Sequence, residues 1–366
     1  MAVNRVFILA GEASGDVLGA ELVRSLRTLN PTLHVDAWGG TELSRALGKP
    51  VRRTLDQLAF MGFWDVLRNL RAVRANFAAA RGVLSEPWDL VVLIDYPGFN
   101  LRMAQWMQRR PERGQRKVVQ LVAPSVWAWK QDRVKVLRTA YDAVLPLLPF
   151  EPDFLAKHGV NAPYFGHPAV DRFAGAKGRT DAGVLVLAPG SRRTEILRIA
   201  PVFAAAADRL GMRPRWIRPS SWTEAGYRAL LREALRAEPR GEFAEGMGEA
   251  RGARAALVAS GTATMELALL DVPMVVAYKV DALSFAVAKR LVKVPHVSLV
   301  NLVLDDAVVL ERLQGDCNAA QLARDVKPLL ADGPERATMR QRFQEFRAKL
   351  GSPGAMDRIA HYLLNA

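Results

Sequence analysis

Short apolar runs alternate along this chain with stretches whose apolar positions recur at helical spacing, which predicts alternating strands and helices and parallel sheets. In the first half the runs predict strands over Val6–Ala10, His34–Trp38, Leu90–Asp95, Lys117–Ala123 and Ala143–Leu148. Several end in a polar or glycine-bearing turn, as in "LVVLIDYPGFN" and "VVQLVAPSVWAW". The pattern lapses at "DRFAGAKGRTDAG", Asp171 to Gly183, which reads as a linker, and then resumes in "GVLVLAPGSRRTEI", "RPRWIRPSS", "AALVASGTATMELALL" and "VPMVVAYKV". Two similar doubly wound α/β halves facing each other across a cleft account for this: a first domain over 1–174 and a second over 181–344. From Ala319 the chain reads as helical, and a last helix over about 345–366 could cross back onto the first half.

Composition narrows the class. Half of the 366 residues are apolar and 24% are charged, a globular composition that agrees with the two-domain reading. The single cysteine, Cys317, excludes an internal disulfide framework and fits a reducing cytoplasm. The N-terminal apolar run is too short for a signal peptide, and no run approaches the roughly 20 apolar residues that span a bilayer. A net charge of +14 calls for an acidic partner: nucleic acid, anionic lipid or a phosphorylated small molecule. No RRM, KH or zinc-finger pattern supports nucleic acid.

The turn after the first strand, "FILAGEASGDVLGAEL", has glycines at Gly11, Gly15 and Gly19, every fourth residue, which fits no dinucleotide or Walker pattern. Its two acids, Glu12 and Asp16, sit where phosphate oxygens would otherwise lie, which leaves open what the turn holds. The turn Gly190-Ser191-Arg192 is the better anion site, because free amides and a positive helix end would face the ligand there; a plain surface turn is the alternative. Ser260-Gly261-Thr262 with Glu266 repeats the arrangement, and could equally be an ordinary N-cap with a dipole-favoured acid. Asp95, at a strand end, is a candidate general base or a turn brace. Ser125 and Trp127 stand at another strand end, for sugar stacking or core filling, and His167 could face the cleft or brace a turn. The five histidines form no metal-binding pair and there is no DxD, so no metal and no cofactor is expected. "MGFWDVLRNLRAVRANF", Met61 to Phe77, is a basic amphipathic pattern: Phe63, Val66, Leu67, Leu70, Val73 and Phe77 on one side, Arg68, Arg71 and Arg74 between them. Such a helix lies either in a membrane interface or against the sheet.

Taken in order, "AGEASGDVLGA", "AFMGFWDVL", "IDYPGFN", "APSVWAW", "LPFE", "FGHPAVD", "PGSRRTEI", "ASGTATMELAL", "PMVVAYK" and "AKRLVKVPHVSLVNLV" resemble the lipid-A-disaccharide synthases, glycosyltransferases of the GT-B type with two Rossmann-like domains. The resemblance implies transfer of 2,3-diacylglucosamine from UDP-2,3-diacylglucosamine to the 6-hydroxyl of 2,3-diacylglucosamine 1-phosphate (lipid X), with inversion. It implies Asp95 as base with Glu12 as runner-up, Arg192 at the diphosphate, Glu266 at the ribose, and Asn301 and the turn around Met247 at the uridine. The first-domain turn would then face the acceptor, with Glu12 and Asp16 accepting bonds from sugar hydroxyls and Ser14 and Gly15 beside the ligand. It implies further that the Met61–Phe77 face engages acyl chains or the anionic cytoplasmic face of the inner membrane. A homodimer stays open. The family often has an acid where this chain has Gly98, so Asp95 would work without that neighbour. Other GT-B enzymes of UDP-N-acetylhexosamines, a muramyl-lipid transferase or a 2-epimerase, are the alternative.

Overall fold

A computed structural model describes residues 3–58, 70–174, 183–281 and 294–365. The chain divides into two compact units, Met1–Pro168 with Gly354–Ala366, and Ala169–Pro353. The first holds β1 (Arg5–Ala10), β2 (His34–Gly39), β3 (Arg53–Thr54), β4 (Leu90–Ile94), β5 (Lys117–Leu121) and β6 (Ala143–Leu145), in the order β3-β2-β1-β4-β5-β6. The second holds β7 (Leu185–Ala188), β8 (Arg215–Arg218), β9 (Glu242–Glu245), β10 (Ala255–Ala259), β11 (Met274–Tyr278) and β12 (Leu310–Leu313), in the order β12-β11-β10-β7-β8-β9. Every pairing is parallel.

The inner strands are apolar on both faces because helices cover both. In β1, Val6, Ile8 and Ala10 join one core cluster, while Phe7 and Leu9 join the cluster on the opposite face. The strands that the apolar pattern did not predict, β3, β9 and β12, are all sheet edges. Two of them, "EFAE" and "LERL", carry charges that a strand buried on both faces would exclude.

The helix Ala13–Leu29 lies on the first sheet and explains the four-residue glycine spacing. A Cβ at Gly15 would meet Ala10 and Ile94 at 3.4 Å, and one at Gly19 would meet Leu43 at 3.0 Å. These glycines let the helix sit close on β1 and β4, so Gly15 is buried in packing rather than opened to a sugar. The terminal helix Ala355–Asn365 packs on the same helix, with Met356, Ile359, Ala360 and Leu363 in the cluster of Leu18, Leu22 and Leu26. Ser25 Oγ donates to Asp357 at 2.6 Å across that contact. The preceding helix, Pro334–Leu350, stays in the second unit, so the chain returns at Pro353–Gly354.

Of the predicted linker, Asp171–Ala174 is the end of the helix Ala169–Ala174, and 175–182 lies outside the described residues. So do Phe63, Val66, Leu67 and Arg68 of the basic amphipathic pattern. The described helix there is Leu70–Leu84. Arg71 is exposed on it, whereas Phe77 stacks on Phe99 at 4.5 Å, so this end of the pattern packs on the core.

Candidate active site

Both sheets reverse their winding beside their first strand. After β1 the chain goes to β2 on one side and later to β4 on the other; β7 stands in the same relation to β8 and β10. Ligands of doubly wound sheets collect outside the carboxyl ends of the strands at such a switch point. The register aligns Ala10 with Ile94, and the residues just beyond them, Glu12 and Asp95, come together there.

Glu12 is the N-cap of Ala13–Leu29, yet its side chain makes no capping bond, which leaves the carboxylate for other work. Asp95 is half-buried, and its carboxyl is pushed up to about 6, first by burial and then by the charge of Glu12, with the Tyr96 amide pulling the other way. The Tyr96 hydroxyl is raised by the same two causes and donates to the Leu58 carbonyl at 3.2 Å. The Tyr96 ring lies where a Cβ of Gly11 would be, 2.2 Å from the nearest ring atom, so only glycine fits position 11. Two acids whose charges interact, one with a raised pKa, are the arrangement a general base needs near neutrality. Ser14 is exposed in the first turn of the helix. Gly98 is exposed with open space around it, and no packing demand explains glycine there.

Asp16 differs from the expectation. Its carboxylate is 4% exposed and accepts the amides of Gly40 (2.6 Å), Glu42 (3.0 Å) and Leu43 (3.1 Å). It therefore caps the helix Thr41–Leu47 instead of meeting sugar hydroxyls. Replacement of Asp16 by alanine should lower stability by about 2 kcal/mol, the upper end for a lost N-cap, with little effect on substrate KM. Urea unfolding together with steady-state kinetics measures both.

The loop after β5 lies one strand from Asp95. Ser125 is exposed on it, and Trp127 donates from Nε1 to Glu151 at 3.0 Å, with its ring edge-on to Phe150. Burial pushes the Glu151 carboxyl up to about 7. In the sequence Glu151 is only the last residue of "LPFE"; its partnership with Trp127, 24 positions away, needs the tertiary structure. His167 is buried, 8% exposed, on the segment that leaves the first unit.

In the second unit Ala188 of β7 pairs with Val258 of β10, so the turns Gly190–Arg192 and Ser260–Thr262 are neighbours. Gly190 (φ 107°) and Gly261 (φ 147°) hold backbone conformations that side chains rarely adopt. The helices Arg193–Arg209 and Thr262–Leu269 both begin at this edge, and their free amides make it electropositive. Arg192 has 64% of its side chain exposed and a loose contact of 3.4 Å with Glu195. Arg193, by contrast, is tied to both Glu233 oxygens at 2.6 and 2.7 Å. Of the two arginines, Arg192 is the more weakly held. Ser191 is exposed, and its carbonyl is braced by Trp222 Nε1 at 2.8 Å. Ser260 Oγ donates to Val297 O at 2.7 Å, and Thr262 is exposed. Glu266 is raised by burial, partly offset by Arg172 at 3.8 Å. Met247, half-buried after β9, lies at the same sheet edge two strands from β7.

Asn301 is the second departure. It is 1% exposed; its Nδ2 donates to Val309 O and Glu311 Oε1, and its Oδ1 accepts the Val309 amide, each at 2.9 Å. Both amide hydrogens and the oxygen tie its helix to the approach to β12, so the side chain is turned into the fold of its own unit.

Residues 6–358 match the family described as lipid-A-disaccharide synthetase. The lipid-A-disaccharide synthase of Acidobacterium capsulatum is 36% identical, over 98% of this chain and 96% of its own. That of Alkalilimnicola ehrlichii is 39% identical over 94% of each. The chain belongs to the lipid-A-disaccharide synthase family. Members of the lipid-A-disaccharide synthase family are glycosyltransferases, and this chain is accordingly a hexosyltransferase. Among solved structures, the calicheamicin glycosyltransferase CalG4 matches over 99% of both chains with a TM-score of 0.59 at 18% identity. The UDP-GlcNAc 2-epimerase of Methanocaldococcus jannaschii gives 0.62 at 13% identity, over 99% of this chain and 100% of its own. These likenesses are of fold, and they make this chain a two-domain GT-B-type α/β protein. No helix of its described residues is long and apolar enough to cross a membrane.

Proposed function

We propose that the chain transfers 2,3-diacylglucosamine from UDP-2,3-diacylglucosamine to the 6-hydroxyl of 2,3-diacylglucosamine 1-phosphate. The observation that carries the step is Asp95, whose carboxyl is pushed up to about 6 at the switch point of the first sheet, beside Glu12. Asp95 takes the proton of the acceptor hydroxyl as its oxygen bonds to the donor C1. The C1–O bond to the diphosphate breaks, its electron pair leaves with UDP, and the α-linked sugar becomes β-linked. The Arg192 guanidinium and the amides of Gly190–Ser191 and Gly261–Thr262 take up the negative charge on the departing diphosphate. Glu266 holds the ribose, and Met247 borders the uridine. Ser14, Ser125 and Trp127 border the acceptor. Phe63, Val66, Leu67, Leu70, Arg68 and Arg71 engage the acyl chains and an anionic membrane surface, where each basic residue contributes about 1 kcal/mol.

Incubation with the two acylated sugars should release UDP and yield a disaccharide phosphate detectable by mass. Unacylated UDP-glucosamine in place of the donor should give neither. Folded protein that makes no disaccharide from the acylated pair would overturn the reading.

A further inference from the structure

Asp95 sits on strained backbone, and two buried amide side chains hold it there. Asp95 (φ 46°) and Tyr96 (φ 49°) are both in the left-handed region, and so is Val122 (φ 70°), a β-branched residue for which that conformation is a true outlier. The three belong to the turns that leave the neighbouring strands β4 and β5. Strain of this kind persists only where the surroundings over-determine it.

The surroundings here are Gln120 and Asn100, both 0% exposed. Gln120 Nε2 donates to the carbonyls of Asp95 (3.1 Å), Leu121 (3.3 Å) and Val122 (3.1 Å), so one amide group ties the two strained turns together. Asn100 Nδ2 donates to Ile94 O (3.2 Å) and Asp95 O (2.7 Å) from the other side. The Asp95 and Val122 amides are themselves fixed to Leu121 O (2.9 Å) and Leu145 O (3.0 Å). Gln120 Oε1 and Asn100 Oδ1 are buried with no partner among the described residues. A leucine would fill the same volume without that unpaired oxygen, so what the amides contribute is their N–H groups. In an apolar strand reading "KVVQL", a buried glutamine is the one visible signal.

We propose that Gln120, assisted by Asn100, is a positioning residue that locks the turns after β4 and β5 and so fixes the direction of the Asp95 carboxyl. The inference rests on Asp95 being the base. Gln120→Leu removes the donors at similar volume, and Gln120→Met is a milder second variant. Each is assayed for kcat, for acceptor KM, for the acid limb of the rate and for thermal unfolding, with Asp95→Asn in parallel. With the lock gone, kcat should fall about 10- to 100-fold while acceptor KM changes less than about 3-fold, as expected when a reacting group is misplaced and binding is kept. The acid limb should move, because the groups facing Asp95, the Glu12 carboxylate and the Tyr96 amide, would lie at new distances. Folded Gln120 variants with parental kcat and an unmoved acid limb would reduce the glutamine to a structural filler and overturn the proposal. If the Gln120 variants are parental while Asp95→Asn is inactive, this inference alone falls; if Asp95→Asn keeps parental kcat, the base assignment falls and takes the inference with it.

Discussion

Asp95→Asn should lower kcat by about 10²- to 10⁴-fold, the range for a lost general base, with little change in the affinity for UDP. Asparagine keeps the size of the side chain and one acceptor oxygen for the Tyr96 amide, and loses the negative charge and with it the capacity to take a proton. In the parent, kcat should rise with pH through about 6, because only the ionised carboxylate accepts the acceptor proton. In the variant that limb should vanish. Stability moves the other way. The folded-state pKa lies above the ordinary 3.8, so the contribution of Asp95 to stability is present below that value and is lost as pH rises through about 6. At pH 7 the ionised group is therefore a liability, and the asparagine variant should be more stable than the parent by about 2 kcal/mol. Near pH 4 the gain should shrink away. Rate profiles and urea unfolding at the two pH values test both halves. An asparagine variant with parental kcat would remove Asp95 from the reaction and bring Glu12 forward.

Asn301→Ala should cost about 3–4 kcal/mol of stability with little effect on donor KM. The truncation strips three buried hydrogen bonds at once, leaves the Val309 amide and carbonyl unpaired, and takes from Glu311 one of its donors. Glu311 would still accept the amides of Val297 and Ser298, so the loss should be partial and the second unit should still fold. A urea midpoint and a donor titration on the same preparation decide the matter. A higher donor KM at unchanged stability would restore Asn301 to the nucleotide.

These two residues mark how far the sequence could be read. The position of Asp95 was legible because a strand ends at "LIDYP", and the first polar residue after a buried parallel strand emerges at the carboxyl edge of the sheet. Asn301 and Asp16 were misread because a polar side chain in a motif looks the same whether it faces a ligand or a neighbouring backbone. Asp16 is consumed by amides 24 to 27 positions along the chain. The glycine spacing of "AGEASGDVLG" was similarly ambiguous. Gly15 and Gly19 serve the packing of a helix on Ile94 and Leu43, and Gly11 makes room for the Tyr96 ring. Of that stretch, Glu12 makes no capping bond and acts by its charge on Asp95, and Ser14 stands exposed near it.

The alternation of apolar runs and helical periods was enough, by itself, to determine a two-domain α/β chain, its inner strands and the turns at their ends. Those features come from local periodicity and from burial on both faces of a sheet, which each strand records in its own residues. Only the tertiary structure decided that Glu12 stands beside Asp95, that Gln120 and Asn100 hold the strained turn, and that Asp16 and Asn301 are structural. The reason is physical: strand order and register bring together residues remote in sequence, and the pKa of a carboxyl is set by burial and by those neighbours, not by the residues next to it in the chain.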